Sequence, residues 1–446
     1  MKRNVLIVFI MLVMGLPGFV WAKTSSVDAL IQKLEDKGIL TSQEAEQIKG
    51  EIASSEKESQ EAVYKKTAPE WINNFKIGGV VLLRDQVNKR KVPGTTNLTQ
   101  NRGRFRVRLN LEDQINDKVK VGVTLATEGG SDNGTLANGR SNTVTFGGNG
   151  GTNSGTFTTP YAGINKAWVQ YKPTDYLTLT GGKMANPVWE PASLLWDPDL
   201  NPEGGAIQLE KRLNDYITPF STNAMFVLKD VKTTTTRTDP YVFVTQEGIK
   251  GNLTEKFYYQ LAGLGQLVSL PSHALLDNRG LGNTISTSNA AQYSYNFNTI
   301  GGAVDFGIND PFGEAAFLPI YIPQIGVFGQ YARNTDPSKN NSTWMMGGYI
   351  GNSAINGWGT WKLKSFYKVL EADAWLDALT DDDFYSGYTD TKGWRTQFDL
   401  GLAKNVWFTM TYFRTNVFKS NSTISSAFSK SSAPENLFQM DLNFKF

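Results

Sequence analysis

The chain contains no cysteine and a single histidine, His273. The first absence excludes disulfides, iron–sulfur clusters and thiol catalysis, and the two together deny zinc and haem their usual ligands. His273 stands in a predicted loop beside Ser272, with no third group in the sequence to orient it, so a serine-hydrolase reading lacks support and no enzymatic activity is expected. Past residue 22 there is no apolar run of the length a membrane-crossing helix needs, whereas a β-barrel crosses with strands whose apolar residues merely alternate. Charge of one sign is also scarce. The 44 basic and 42 acidic side chains leave a net charge of +2, which gives no general attraction to nucleic acid. No cofactor and no metal is expected.

What is present points to β structure with many turns: 25 Phe, 17 Tyr and 11 Trp accompany 43 Gly among the 446 residues. Residues 1–22 read as a secretory signal, with Lys2 and Arg3 ahead of the apolar stretch Val5 to Met14 and a small-residue cleavage site at Val20-Trp21-Ala22. Removing them leaves acids and bases in balance. Residues 23–68 are different in kind. Val27, Leu30, Ile31 and Leu34 are helically spaced, Gly38 is a stop, and Thr41 with Glu44 forms a capping box before Ala45, Ile48 and Ile52. This segment is expected to be a short α-helical extension whose thin apolar stripe needs a partner.

From Phe75 onward the period changes to two. The stretch Arg102 to Glu112 puts Phe105, Val107, Leu109 and Leu111 on one face and Arg102, Arg104, Arg106, Arg108, Asn110 and Glu112 on the other. Four guanidinium groups roughly 6.8 Å apart suit a water-filled interior better than a soluble sheet. Lys118 and Lys120 oppose Val119, Val121 and Val123 in the same way, and the last strand alternates Phe438, Met440, Leu442, Phe444 and Phe446 with Gln439, Asp441, Asn443 and Lys445. Sixteen strand candidates emerge, from 75–86 and 102–113 to 405–416 and 436–446. Tight links tend to follow the even-numbered strands and long ones the odd-numbered, apart from the stretch Ile308 to Ile322. An antiparallel transmembrane β-barrel of sixteen strands over residues 69–446 has this layout, with short turns on the periplasmic rim. Tyr171, Tyr176, Trp361 and Trp407 near strand ends suit interfacial girdles.

The signal, the segment Leu34 to Glu44, the segment WDPDLNPEGG from Trp196 to Gly205 and the terminal aromatic together resemble the bacterial putative porin family, which is distantly similar to phosphate-selective porins. The resemblance implies an outer-membrane porin of sixteen strands, a trimer, passing small hydrophilic solutes. No separate lysine cluster carries over phosphate selectivity.

On this reading the arginine row lines the conduit, together with Lys118 and Lys120, either bracing the wall against acids on neighbouring strands or also steering ions. The loop 187–205, stiffened by Pro187, Pro191, Pro198 and Pro202, is expected to fold inward and present Asp197, Asp199 and Glu203 to the basic face; an ordinary exterior loop is the alternative. Asp197, Asp199, Asn201 and Glu203 resemble the start of a calcium loop, but Pro202 replaces its glycine and Gln208 its closing glutamate. Asp381 to Asp383 are expected at a solvated loop tip. Partners would be outer-membrane lipid, lipopolysaccharide, and periplasm or cell wall through residues 24–66. Two other classes remain: a structural anchor gripping the envelope through that extension, and a receptor or adhesin working through the long loops 129–162 and 371–391.

Overall fold

The computed structural model describes residues 74–90, 98–127, 141–148, 160, 162–231, 239–276, 282–313, 321–419 and 434–446, with scattered positions between 31 and 48. The chain divides into two units, Met1–Asn73 and Asn74–Phe446. In the first, Ile31, Lys33, Leu34, Glu35, Gln47 and Ile48 are helical, and the Lys37 N–H donates to Lys33 O at 3.2 Å. The expected signal and most of the extension and of the loop 129–162 fall outside the described residues.

The second unit is a wall of strands: β1 (Lys76–Arg90), β2 (Leu98–Asn116), β3 (Val119–Thr127), β4 (Val144–Thr145), β5 (Ala162–Thr174), β6 (Leu177–Lys183), β7 (Glu203–Glu210), β8 (Thr218–Val227), β9 (Tyr241–Asn252), β10 (Phe257–Ser269), β11 (Thr299–Asn309), β12 (Gln324–Asn334), β13 (Ser342–Gly351), β14 (Trp361–Leu370), β15 (Thr391–Ala403), β16 (Val406–Val417) and β17 (Glu435–Lys445). Each pairs antiparallel with its sequence neighbour, except that β3 passes over β4 to β5. β4 is a two-residue piece beside Arg104 and Phe105, so sixteen strands make the barrel. β1 closes the ring on β17, from Val80 opposite Lys445 to Arg90 opposite Glu435. At the seam, Gly79 and Phe446 exchange backbone hydrogen bonds of 2.9 and 3.1 Å, and the Phe446 ring fills the space that a side chain on Gly79 would need.

Burial along the strands is inverted relative to a soluble sheet. On β17, Glu435, Leu437, Gln439, Asp441 and Asn443 are buried, while Phe438, Met440, Leu442 and Phe444 are partly exposed. Elsewhere Ile164, Ile207, Met225, Leu267, Ile300, Val327 and Met346 stand at half exposure or more. An apolar exterior is the arrangement that lipid imposes on a closed sheet, because backbone groups are satisfied strand to strand and only side chains meet the acyl chains. Tyr171 and Tyr176 flank the β5–β6 turn, and Trp361 and Trp407 open β14 and β16, all near the rim of short connections. Towards the opposite rim, Trp344, Tyr367 and Trp394 pack ring against ring at 5.8 and 5.2 Å.

Candidate functional site

The connection between β6 and β7, residues 184–202, turns back on itself because its own polar groups close it. Glu190 accepts backbone hydrogen bonds from Leu195 and Trp196, both 3.2 Å, and Asp197 accepts one from Asp199 at 2.8 Å. The loop is then seized from several sides. Gln246 of β9 makes a two-way pair with the Trp189 backbone, and Gln330 of β12 donates to Glu190 at 2.8 Å. On β14, Lys364 donates to Pro191 O at 2.5 Å and Lys368 to Ser193 O at 3.2 Å, while Arg395 of β15 reaches the Ser193 hydroxyl at 2.9 Å. On β2, Arg106 and Arg108 meet Asp199 Oδ1 at 3.4 and 2.6 Å. A segment held by inward side chains of β2, β9, β12, β14 and β15 of one closed ring lies in the lumen.

Two further connections join it. In residues 270–298, Asn283 donates to the carbonyls of Ala372 and Trp375, and Tyr293 to Asp377 at 2.8 Å; all three partners lie in residues 371–390. Trp196 stacks edge-on against Phe226 and Trp375, with centroids 6.4 and 6.1 Å away. Leu194, Leu195, Phe297, Trp375 and Leu376 are all at most 1% exposed and pack on wall residues such as Val244, Phe328 and Phe366. The β7–β13 side of the interior is therefore packed largely with apolar side chains, which continue onto β14 at Phe366 and Leu370. The β14–β17 and β1–β5 side is lined mostly by charged and amide groups.

The acidic run Asp381 to Asp383, expected at a solvated tip, is folded inside. Asp381 is 4% exposed and faces Arg395 at 3.5 Å. Asp383 lies 3.8 Å from Arg84 and accepts from Gln439. A tip that packs Trp375, Leu376 and Tyr385 into the barrel carries its carboxylates in with it. The Asp382 N–H donates to Asp197, and carboxylate oxygens of Asp197, Asp381 and Asp382 lie within 4.8 Å of one another.

The nine residues singled out in the sequence meet different fates. Arg102 is 8% and Arg104 1% exposed, Arg104 donating to Gln86 at 2.9 Å and to Thr143 O at 2.8 Å. Arg106 and Arg108 are brought together with Asp199, and Arg108 also reaches Asn142. Asp197 is buried among backbone donors. Lys120 pairs with Glu112 on β2 at 2.5 Å. Lys118 is not on the wall, because it occupies the exposed β2–β3 turn. Glu203 opens β7 on the outward parity of Ile207 and Leu209, paired with Lys183. The four residues of the calcium-like spacing thus diverge: Asp199 goes to arginines and Glu203 to the rim.

Sequence reasoning missed Arg84, which takes Asp441 through two bonds of 2.7 and 2.9 Å, and Glu190 at the heart of the loop. It also missed Lys362, Lys364 and Lys368, whose period of two around Phe366 was readable. Burial pushes the Glu190 carboxyl up to about 7, against the backbone and Gln330 bonds that favour its charge. Burial alone would raise Asp199 too, but the Arg106 and Arg108 guanidinium groups outweigh it and hold this carboxyl below its ordinary value. A cavity of about 440 Å³ lies between the loop and β14–β15, lined among others by Glu190, Ser193, Lys364, Arg395 and Gln397, and another of about 400 Å³ lies between the loop and β6–β8.

A family model described as a putative porin matches residues 84–263 and 292–446, well over half of the chain. The chain belongs to the putative porin family. Family and barrel together point to a bacterial outer-membrane channel. Similar solved structures include the high-pH structure of Pseudomonas putida OprB, 7% identical, covering 84% of this chain and 95% of that one with a TM-score of 0.49. The outer membrane channel DcaP of Acinetobacter baumannii is 12% identical over 83% of this chain and 97% of that one, TM-score 0.41. A loop-deletion form of OmpT of Vibrio cholerae is 9% identical over 84% and 100%, TM-score 0.42. No curated protein matches the sequence.

Proposed function

We propose that this porin passes small hydrophilic solutes and ions by passive diffusion along the polar side of its lumen, with residues 184–202 setting the aperture. The observation that carries this reading is the Asp199 contact with Arg106 and Arg108, which ties the inward loop to the polar wall. Arg102 and Arg104 brace that wall beside it, Lys120 extends the charged face, and Asp197 shapes the loop from within. Single-channel recording in planar bilayers, with a series of sized sugars added to measure the aperture, tests it. A discrete conductance blocked progressively by smaller sugars is expected. An electrically silent protein would instead favour an anchor, a reading that the apolar packing of the β7–β13 side supports.

The chain would reach the outer membrane through the signal in residues 1–22 and leave residues 24–66 in the periplasm, within reach of the cell wall, with lipopolysaccharide around the outer rim. A homotrimer is the proposed assembly. Its support is a polar patch in the lipid-facing belt, where Ser221 donates to Glu247 at 2.8 Å and Asn223 to Ser221 at 3.0 Å. Such groups face a neighbouring subunit at lower cost than they face acyl chains. Mass measurement of the detergent-solubilised protein, repeated after Glu247→Leu, tests this assembly.

A further inference from the structure

Most cations of the described lumen are held by carboxylates, while Lys166 of β5, near Arg108 and Glu112, has no carboxylate within ion-pair distance among the described residues, and the division does not follow the arginine row. Arg84 is bound by Asp441, Arg90 by Glu435 at 2.6 Å, Arg106 and Arg108 by Asp199, Lys120 by Glu112 and Arg395 by Asp381. A cation held against a carboxylate leaves little net field a few ångströms away. Arg102 and Arg104 are almost wholly covered, so mobile ions do not reach them.

On β14 the arrangement differs. Lys362 lies over the Tyr349 ring at 4.8 Å, and Lys364 over the Phe328 ring at 4.7 Å with one bond to Pro191 O. Among the described residues neither has a carboxylate within ion-pair distance. The acids whose field reaches both are Asp305 and Asp399. Asp305 accepts from the Tyr349 hydroxyl at 2.7 Å, and Asp399 accepts from Gln397 at 2.9 Å and Thr409 at 2.6 Å. Lys364 also stands near Arg395, whose own charge is offset by Asp381. Lys368 is excluded from this group, being 1% exposed under the Phe384 ring.

Aromatic faces and carbonyl oxygens hold an ammonium in place without cancelling its charge, and such a cation keeps its attraction for a mobile counter-ion. We propose that Lys362 and Lys364 form the anion station of this lumen, taking small inorganic anions and small carboxylates in transit. The geometry supports passage as well as attraction. Both lysines lie on the half of β14 nearest the short-connection rim, Lys364 touches the loop itself, and the cavity of about 440 Å³ opens beside it. An anion that clears the loop meets these two ammonium groups next. Partial occupancy by aromatic contacts keeps the site weak enough to release what it attracts.

The inference rests on the diffusion reading above. Full-length protein in planar bilayers under a potassium chloride gradient, and then a potassium acetate gradient, gives the reversal potential for each anion. Lys362→Gln with Lys364→Gln is expected to lower the anion-to-cation permeability ratio several-fold in both salts while conductance persists. Lys362→Arg with Lys364→Arg is expected to keep the ratio. A ratio unchanged by the glutamine pair, or lost equally with the arginine pair, overturns the station and leaves the channel standing. A ratio that falls in chloride alone overturns the carboxylate half of the proposal. Absence of conductance in the unaltered protein overturns the diffusion reading and the station with it.

Discussion

Asp199 and Arg108 are 91 residues apart in the chain and 2.6 Å apart in space, and their contact joins a lumen loop to the second strand of the wall. Arg106 shares the same carboxylate oxygen. Substituting Asp199→Asn removes the charge that holds both guanidinium groups. These side chains are 18–25% exposed, so a cost of about 1–3 kcal/mol is expected, below that of a fully buried pair. Single-channel conductance should rise as the loop loosens, and selectivity should move towards anions because two guanidinium groups lose their counter-charge. Arg106→Gln with Arg108→Gln should loosen the loop equally and move selectivity the other way. Equal selectivity in the two variants would mean that Asp199 acts by shape alone.

Glu190 supplies a pH dependence of definite sign. Its carboxyl is raised in the folded protein to about 7 from an ordinary 4.5, so the fold favours the protonated form. The stabilisation is complete below about 4.5 and disappears as pH rises through 7, a swing of about 3 kcal/mol. Hydrogen exchange across residues 184–202 should therefore quicken between these values, and Glu190→Gln should flatten the profile. A flat profile in the unaltered protein contradicts the assignment.

Trp196 joins the loop 184–202 to Phe226 of β8 and to Trp375 of residues 371–390. Trp196→Ala should cost about 3–5 kcal/mol of loop packing, the usual penalty for emptying an aromatic site in a close-packed core. Residues 184–202 and 371–390 should become sensitive to protease added from outside. The barrel should retain its resistance to detergent unfolding, since strand pairing is untouched.

At the seam, Gly79→Val would drive a branched side chain into the Phe446 ring and the Arg108 carbonyl. The yield of heat-modifiable, folded barrel should fall sharply, whereas the same change at Gly181, which has open space around it, should be tolerated.

Much of the wall was legible because lipid enforces one apolar face on every strand. The expected limits 436–446 and 102–113 lie within a few residues of β17 and β2, and all sixteen expected strands have counterparts. β4 escaped because two residues display no period. The lumen was harder to read. A loop that enters a barrel packs Trp375 and Leu376 against the inner wall with no periodicity to announce it, and it takes Asp381 inside along with them. Asp residues beside Gly and Thr look the same in sequence whether water or an arginine satisfies them. Glu203 misled because it follows Asp199 closely, yet the chain has already entered β7 and turned it outward. Lys362 and Lys364 were readable by the same alternation that revealed the arginines, but a lysine every second residue draws less notice than four arginines.

The closure of β1 on β17 has a kinetic consequence. Val80 cannot find Lys445 until β17 has been made and delivered, so the wall remains an open curved sheet with two raw edges until then. The lumen loops must wait as well, because their anchors are spread from β2 to β15 and come within reach only when the ring shuts. Maturation should accordingly have two resolvable stages, a slow closure of the seam followed by a faster settling of residues 184–202, 270–298 and 371–390. Their order is imposed by topology rather than by the strength of any one contact.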